Sequence, residues 1–165
     1  MIHKMSYDSP LGTLLIAEKE GALVGLWMEG QKYFLGSVKE EMQEKTDVKV
    51  LLQTREWLER YFERERPAIS ELPLAPMGSE FQKAVWKILC QIPYGEVTTY
   101  KAIAVRIAKE RGIERMSAQA VGGAVAHNPI SIVIPCHRVV GSDGSLTGYA
   151  GGIEKKKKLL ELEGV

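Results

Sequence analysis

The stretch Glu71-Leu72-Pro73-Leu74-Ala75-Pro76-Met77-Gly78 limits what this chain can fold into more than any other. Proline has no amide hydrogen and a fixed φ, so neither a helix interior nor a central strand can run through Pro73 and Pro76. The chain is therefore expected to form two lobes, residues 1–78 and 79–165, joined at this point. With 165 residues in total, both lobes are small. A composition of 45% apolar and 26% charged residues is that of an ordinary globular protein and excludes disordered and collagen-like chains. No apolar run approaches the roughly 18 residues that span a bilayer. Met1 to Asp8 lacks the basic-then-apolar layout of a secretory leader, so a cytoplasmic protein without a membrane partner is expected. Two cysteines and three histidines are too few for a disulfide framework or a compact zinc site; no metal and no cofactor are expected.

The first lobe reads as scaffold. Leu14 to Ala17 and Leu23 to Trp27 are β-prone runs, with turn signals at Ser9 to Gly12 and Lys19 to Gly21, which makes residues 1–30 an antiparallel meander. Residues 48–65 carry Val48, Leu51, Leu52, Leu58, Tyr61 and Phe62 at helical spacing, and Pro67 closes that helix. The second lobe is denser in signals. Ser79 and Gln82 form a capping box ahead of a helix whose apolar face includes Phe81, Val85, Ile88, Leu89 and Ile92. Thr98 or Thr99 caps a second helix, in which Ile103, Ala104, Ile107 and Ala108 recur; Gly112 ends it. Ser117 caps a third, running to about Ala126. Helix, turn and short helix outline a helix-turn-helix. Residues 1–79 hold ten basic and thirteen acidic side chains, residues 80–165 twelve and eight, so the second lobe suits a polyanion partner.

The third helix, Ala118-Gln119-Ala120-Val121-Gly122-Gly123-Ala124-Val125-Ala126, is unusual. Each glycine costs about 1 kcal/mol relative to alanine inside a helix. A helix with so few side chains serves either tight internal packing or close approach of an outside partner. After the Asn128-Pro129 break, Ile130 to Ile134 reads as a buried strand running into Pro135-Cys136-His137-Arg138-Val139-Val140. A cysteine is nucleophilic only as thiolate. His137 and Arg138 beside Cys136 offer a base and positive potential, which favours a catalytic thiol over inert packing. Thr147 to Gly152, with glycines bracketing Tyr149, suggests a loop closing over a planar ligand. The tail from Ile153 to Glu163 is helical, and Lys155 to Lys158 reads as a solvated basic face. Cys90 lies in the first capped helix and reads as structural.

Asn128-Pro129, the run Ile134-Pro135-Cys136-His137-Arg138-Val139 and Tyr149-Ala150-Gly151-Gly152 together resemble the O6-alkylguanine-DNA alkyltransferase family, over essentially the whole chain. The resemblance implies an α/β, two-lobed fold. Its N-terminal lobe is a small antiparallel sheet plus a helix, ribonuclease-H-like. The C-terminal lobe is mostly helical, with a winged-helix-like helix-turn-helix and short strands. It also implies a monomer that binds double-stranded DNA through the minor groove, swings out an O6-alkylguanine and takes the alkyl group irreversibly on Cys136. O4-alkylthymine is a further candidate substrate. By resemblance, His137 takes the thiol proton through a water and Glu163 orients His137. Tyr100 donates to the base, and Asn128 ties the helix-turn-helix to the cysteine segment. The carbonyls of Cys136 and Val139 accept from the exocyclic amine, the Ala150 amide faces O6, and Tyr149 and Gly151 wall the pocket. Ala118, Gln119, Ala120, Gly122, Gly123 and Arg138 face DNA.

Alternatives weighed from the residues are a cysteine hydrolase, a non-catalytic sensor of alkylated DNA and a plain helix-turn-helix regulator; the last leaves Pro135-Cys136-His137-Arg138 unexplained. The chain departs from the family pattern at Gln119, where many members place an arginine that fills the space left by the flipped nucleotide. Glutamine fills that space without the charge. Gln119→Arg is accordingly expected to tighten binding to duplex DNA with transfer chemistry retained, read as a lower Kd in a fluorescence-anisotropy titration.

Overall fold

The computed structural model describes residues 1–36 and 38–165. The fold is mixed α/β in two compact units. One comprises Met1–Met77 and Pro129–Val133, the other Gly78–Asn128 and Ile134–Val165.

In the first unit, Ile2–Ser9 (β1), Gly12–Lys19 (β2) and Ala22–Met28 (β3) form the expected antiparallel meander. Gly12 sits at φ +99°, a step that L side chains rarely take, in the turn between β1 and β2. Met42–Glu44 (β4) adds a short parallel strand on β1, giving the order β3-β2-β1-β4. Its three residues carry no alternating pattern, and the sequence gives no sign of it. Lys49–Phe62 (α1) turns Val50, Leu51, Thr54, Trp57, Leu58 and Tyr61 inward and packs on the first three strands. Trp57 stacks on Tyr61, and its indole N–H donates to the Ala68 carbonyl at 2.8 Å, fixing the chain as it leaves the helix.

Two segments differ from their sequence reading. The proline-rich stretch is not a free linker along its whole length. The Leu23 amide donates to the Pro73 carbonyl and the Ala75 amide donates to the Leu23 carbonyl, both at 2.8 Å, so Leu74 makes a parallel bridge on the outer edge of β3. A proline can serve here because the bridge uses only its carbonyl. Likewise, Ile130 to Ile134 is buried but is not a strand. Ile130 alone bridges to Leu26, through Leu26 N–H to Pro129 O at 2.8 Å and Ser131 N–H to Leu26 O at 2.9 Å. The chain then turns, with Ile132 at φ +71°. Burial rather than strand pairing explains the apolar, β-branched run.

In the second unit, Glu80–Leu89 (α2) begins at the capping box: Ser79 Oγ accepts from the Gln82 amide at 3.1 Å and Gln82 Oε1 accepts from the Ser79 amide at 2.9 Å. Thr98–Thr99 (β5) leads into Tyr100–Arg111 (α3), capped by Thr99 and ended by Gly112 in the left-handed region at φ +64°. Ala118–Ala126 (α4) is capped by Ser117. The Trp86 indole N–H donates to the Ala124 carbonyl at 2.8 Å and locks α2 to α4. Val139–Val140 (β6) pairs in parallel with β5, and Ile153–Leu162 (α5) closes the unit. Among the described residues no helix is long and apolar enough to cross a membrane.

Gly25 in β3 is required sterically. A Cβ there would lie 2.0 Å from the ring of the fully buried Trp27, two residues along the same face. Gly25→Ala is expected to cost about 1–3 kcal/mol through overpacking, measured as a lowered urea midpoint with unchanged slope.

Candidate active site and nucleic-acid face

Cys136, His137 and Arg138 form a single 3-10 turn, entered from Pro135 and left into β6. The turn is closed locally: the Cys136 amide donates to the Ile134 carbonyl at 2.8 Å and the Arg138 amide to the Pro135 carbonyl at 3.0 Å. All three side chains are buried. From α4, the Asn128 side chain donates to the Ile134 carbonyl at 2.8 Å and hydrogen-bonds the Cys136 sulfur. Asn128 thus holds the end of α4 to the start of the cysteine turn.

His137 is fully buried, and its Nε2 meets Glu163 Oε2 at 2.6 Å. Glu163 follows directly on α5 and serves more than His137. Its Oε1 accepts from Arg138 Nε at 2.8 Å and from the Gly95 amide at 3.1 Å, while Oε2 also accepts from the second Arg138 nitrogen at 3.0 Å. A carboxylate offers about four acceptor positions, and these bonds fill them. The remaining guanidinium nitrogen donates to the Ile92 carbonyl at 2.6 Å, and the group stacks over Tyr94 at 5.8 Å. Arg138 is therefore not on a DNA-facing surface, as the sequence reading had it. It is an internal cation, 6% exposed, that neutralises Glu163. A Pro-Cys-His-Arg string says that a cation is near the thiol, but not which way it points.

Burial sets the titration of this cluster. It pushes the Cys136 thiol up to about 11, against the lowering influence of Asn128 and the Lys156 charge. It also lowers His137 below its ordinary value, against the pull of Glu163. The imidazole is thus neutral and the thiol protonated at neutral pH. Tyr100, at the start of α3, is raised to about 12, by burial first and then by the Cys136 charge. Its hydroxyl donates to the Thr147 carbonyl at 2.8 Å. Val139 is fully buried in β6, whereas Tyr149, Ala150 and Gly151 lie half-buried in the loop before α5. Cys90, half-buried at the end of α2, has its thiol raised by burial alone.

Lys156 was missed. The basic run reads as a solvated face, yet Lys156 is completely buried, and its ammonium donates to the carbonyls of Val139 and Thr147. The signal was present: residues 156, 159, 160 and 163 recur at i, i+3, i+4 and i+7, so Lys156 shares the inward face with Leu159, Leu160 and Glu163.

On α4, Val121, Ala124 and Val125 point inward, while Ala118, Gln119, Ala120 and Gly123 are exposed and Gly122 is half-buried. Neither glycine is demanded by the chain itself. A Cβ on Gly122 would lie 3.8 Å from the Tyr100 ring, ordinary contact, and one on Gly123 would meet nothing within 4 Å. Internal packing therefore does not account for the pair, and the smooth outer face is open to an outside partner.

Two family models cover the chain. The 6-O-methylguanine DNA methyltransferase DNA binding domain matches residues 80–165, and the ribonuclease-like domain of the same proteins matches residues 2–76. A methylated-DNA–protein-cysteine methyltransferase of Methanosarcina barkeri is 43% identical, over 96% of this chain and 97% of that protein. Its counterpart in Haemophilus influenzae is 41% identical, over 95% of this chain and 83% of its own length. The crystal structure of Mycobacterium tuberculosis OGT in complex with DNA matches with a TM-score of 0.80 at 38% identity, covering 98% of this chain and 92% of that one.

The Glu163 cluster makes a direct prediction. Glu163→Gln keeps the shape and leaves Arg138 as an uncompensated buried charge, so stability should fall by about 3 kcal/mol, read from urea denaturation. Glu163→Gln combined with Arg138→Met should recover much of that loss.

Proposed function

Since the chain belongs to the 6-O-methylguanine DNA methyltransferase family, we propose that it repairs DNA by moving an alkyl group from O6 of guanine onto Cys136, once per molecule. The observation that carries this reading is a buried thiol set in the same turn as a neutral imidazole whose far nitrogen is fixed by a buried carboxylate.

The step is a displacement at saturated carbon. The Cys136 sulfur bonds to the alkyl carbon, the carbon–O6 bond breaks, and its electron pair stays on guanine. The thiol proton is passed on through His137, and the leaving base gains a proton, so the products are a thioether and unmodified guanine. A thiol at about 11 beside an imidazole lowered from its ordinary value does not ionise before the substrate arrives. The proton therefore leaves as the sulfur–carbon bond forms, and the resting protein is spared indiscriminate alkylation. Glu163 fixes the ring and supports the transient imidazolium, with no acyl intermediate for water to release.

Tyr100 serves as the donor to the departing base: its raised pKa keeps the hydroxyl protonated, and a base takes that hydrogen bond in place of the Thr147 carbonyl. The Cys136 and Val139 carbonyls select the exocyclic amine of guanine, the Ala150 amide meets O6, and Tyr149 and Gly151 form the wall. The partner is double-stranded DNA, bound in the minor groove by the outer face of α4. Ala118, Ala120, Gly122 and Gly123 let the backbone approach, and Gln119 fills the space left by the flipped nucleotide. The protein acts as a cytoplasmic monomer, and O4-alkylthymine is a second substrate.

Mixing the protein with an O6-methylguanine duplex should add one methyl group per chain, on the peptide containing Cys136 and not on that containing Cys90, by intact-mass and peptide mapping. Cys136→Ala should abolish transfer and leave duplex binding in place. Multiple repairs per molecule would instead mark a turnover enzyme, and binding without modification would mark a sensor.

A further inference from the structure

We propose that the groove between α3 and the turn leading into α4 seats the sugar-phosphate backbone of duplex DNA, gripped by Lys101, Lys109 and Arg115. This rests on the reading above, in which the outer face of α4 enters DNA, and adds to it the residues that supply the attraction.

The need for such residues follows from what α4 lacks. No residue from Ala118 to Ala126 is charged, and Gln119 is the one long polar side chain among them. A helix of that composition neutralises no phosphate, yet phosphate neutralisation supplies essentially all sequence-independent affinity for DNA. A lesion lies in any sequence, so the affinity has to come from cations beside the helix. Several cations of this unit are already engaged. Arg138 is held by Glu163 and Lys156 by two carbonyls. Arg106 donates to Glu110 at 3.2 Å and to the Gln91 side chain, and Arg111 lies over the Phe81 ring at 5.2 Å. Lys101, Lys109 and Arg115, by contrast, are exposed, and among the described residues none of them has a carboxylate partner.

These three side chains line one groove of about 530 Å³. Lys101, Val105 and Lys109 recur at i, i+4 and i+8 and form a single stripe along α3, whose inward residues are Ile103, Ala104, Ile107 and Ala108. The two lysines are eight residues apart, about 12 Å along the helix, so each meets a different phosphate. Arg115 comes from the turn, together with Ile113 and Met116. That turn is fastened at both ends. The Ile113 amide donates to the Ala108 carbonyl at 3.0 Å beside the left-handed Gly112, and Ser117 Oγ accepts from the Ala120 amide at 3.2 Å.

The lining fits a phosphodiester chain. Val105 and Ile113 are exposed apolar side chains, and the lysine stems add further apolar cover beneath their charged heads. Sugars rest on such a floor while phosphates meet the cations of the rim. Glu114 is the one acid in the lining, against three cations. Continuity favours DNA over an acidic protein segment. Ala118, the first residue of α4, lines the groove and also belongs to the face that enters DNA, so a duplex lying on α4 reaches the groove without a second docking event.

The test is a fluorescence-anisotropy titration of the full chain with an undamaged duplex, repeated at salt concentrations from about 50 to about 200 mM. Each phosphate contact contributes about 0.9 to the slope of log K against log salt. Lys101→Gln, Lys109→Gln and Arg115→Gln should each lower that slope by about 0.9, and the triple variant by about 2.7, with a Kd at least tenfold weaker at about 100 mM salt. Lys109→Arg keeps the charge and should keep the slope. Glu114→Gln should tighten binding, and weaker binding would count against the groove. The pair Lys83→Gln and Lys87→Gln removes two exposed cations from α2 and should leave the slope unchanged. A triple variant with the wild-type slope would assign the groove to a protein partner and overturn the proposal. An equal fall in the α2 pair would overturn it as well, because general charge would then explain the loss. A wild-type chain that binds no duplex, or that takes no methyl group from an O6-methylguanine duplex, would instead remove the DNA-repair reading itself.

Discussion

Glu163 is a negative charge held where solvent barely reaches it, and the chemistry of the second unit is arranged around keeping it there. An isolated carboxylate in such a place would cost several kcal/mol and would protonate instead. Arg138, the Gly95 amide and His137 each donate to it, and together they occupy all its acceptor positions. Three separated parts of the chain meet at this one group: the turn after α2, the cysteine turn and the end of α5. The orientation of His137 is thus a by-product of an electrostatic requirement. The ring cannot swing without giving up its bond to Glu163. Such buried ionic clusters add little net stability over an apolar replacement, but they impose one geometry.

Local signals in the sequence were read well because their causes are local. Ser79, Thr99 and Ser117 each accept from an amide three residues on, and Gly112 adopts the left-handed conformation that ends α3; none of these depends on the rest of the fold. The meander of β1 to β3 follows in the same way from runs and turns. What was misread depends on contacts distant in sequence. Ile130 to Ile134 is apolar because it is buried, and whether a buried run pairs as a strand is decided by what lies beside it. Arg138 and Lys156 are both cations whose usual place is the surface, and only their tertiary partners explain why they lie inside. For Lys156 the helical spacing to Glu163 was a usable clue; for Arg138 the sequence held none. Around Cys136 the structure adds the direction of each side chain, with Asn128 donating to the Ile134 carbonyl and Tyr100 to the Thr147 carbonyl.

The outer face of α4 is the complement of this crowded interior. Two glycines in a nine-residue helix weaken it, and no packing among the described residues calls for them. The Ser117 cap and the Trp86 bond to Ala124 offset that weakness from the ends and the inner side. The helix can therefore be smooth outside because it is fastened inside. Apart from Gln119 that face is alanine and glycine, so it offers few side chains that could read base edges.

The segment Pro129–Val133 belongs to the first unit although it is encoded deep within the second. Its flanks, Asn128 and Ile134, are joined to each other by a side-chain bond. A chain emerging from the ribosome has made the meander and α1 long before it has made Ile130, so the outer edge of β3 must wait, unsealed beside Leu26, until most of the protein has been synthesised. The amino-terminal lobe therefore matures last in part, and the two halves of this molecule cannot be inherited, swapped or expressed as independent pieces without leaving one of them an exposed strand border.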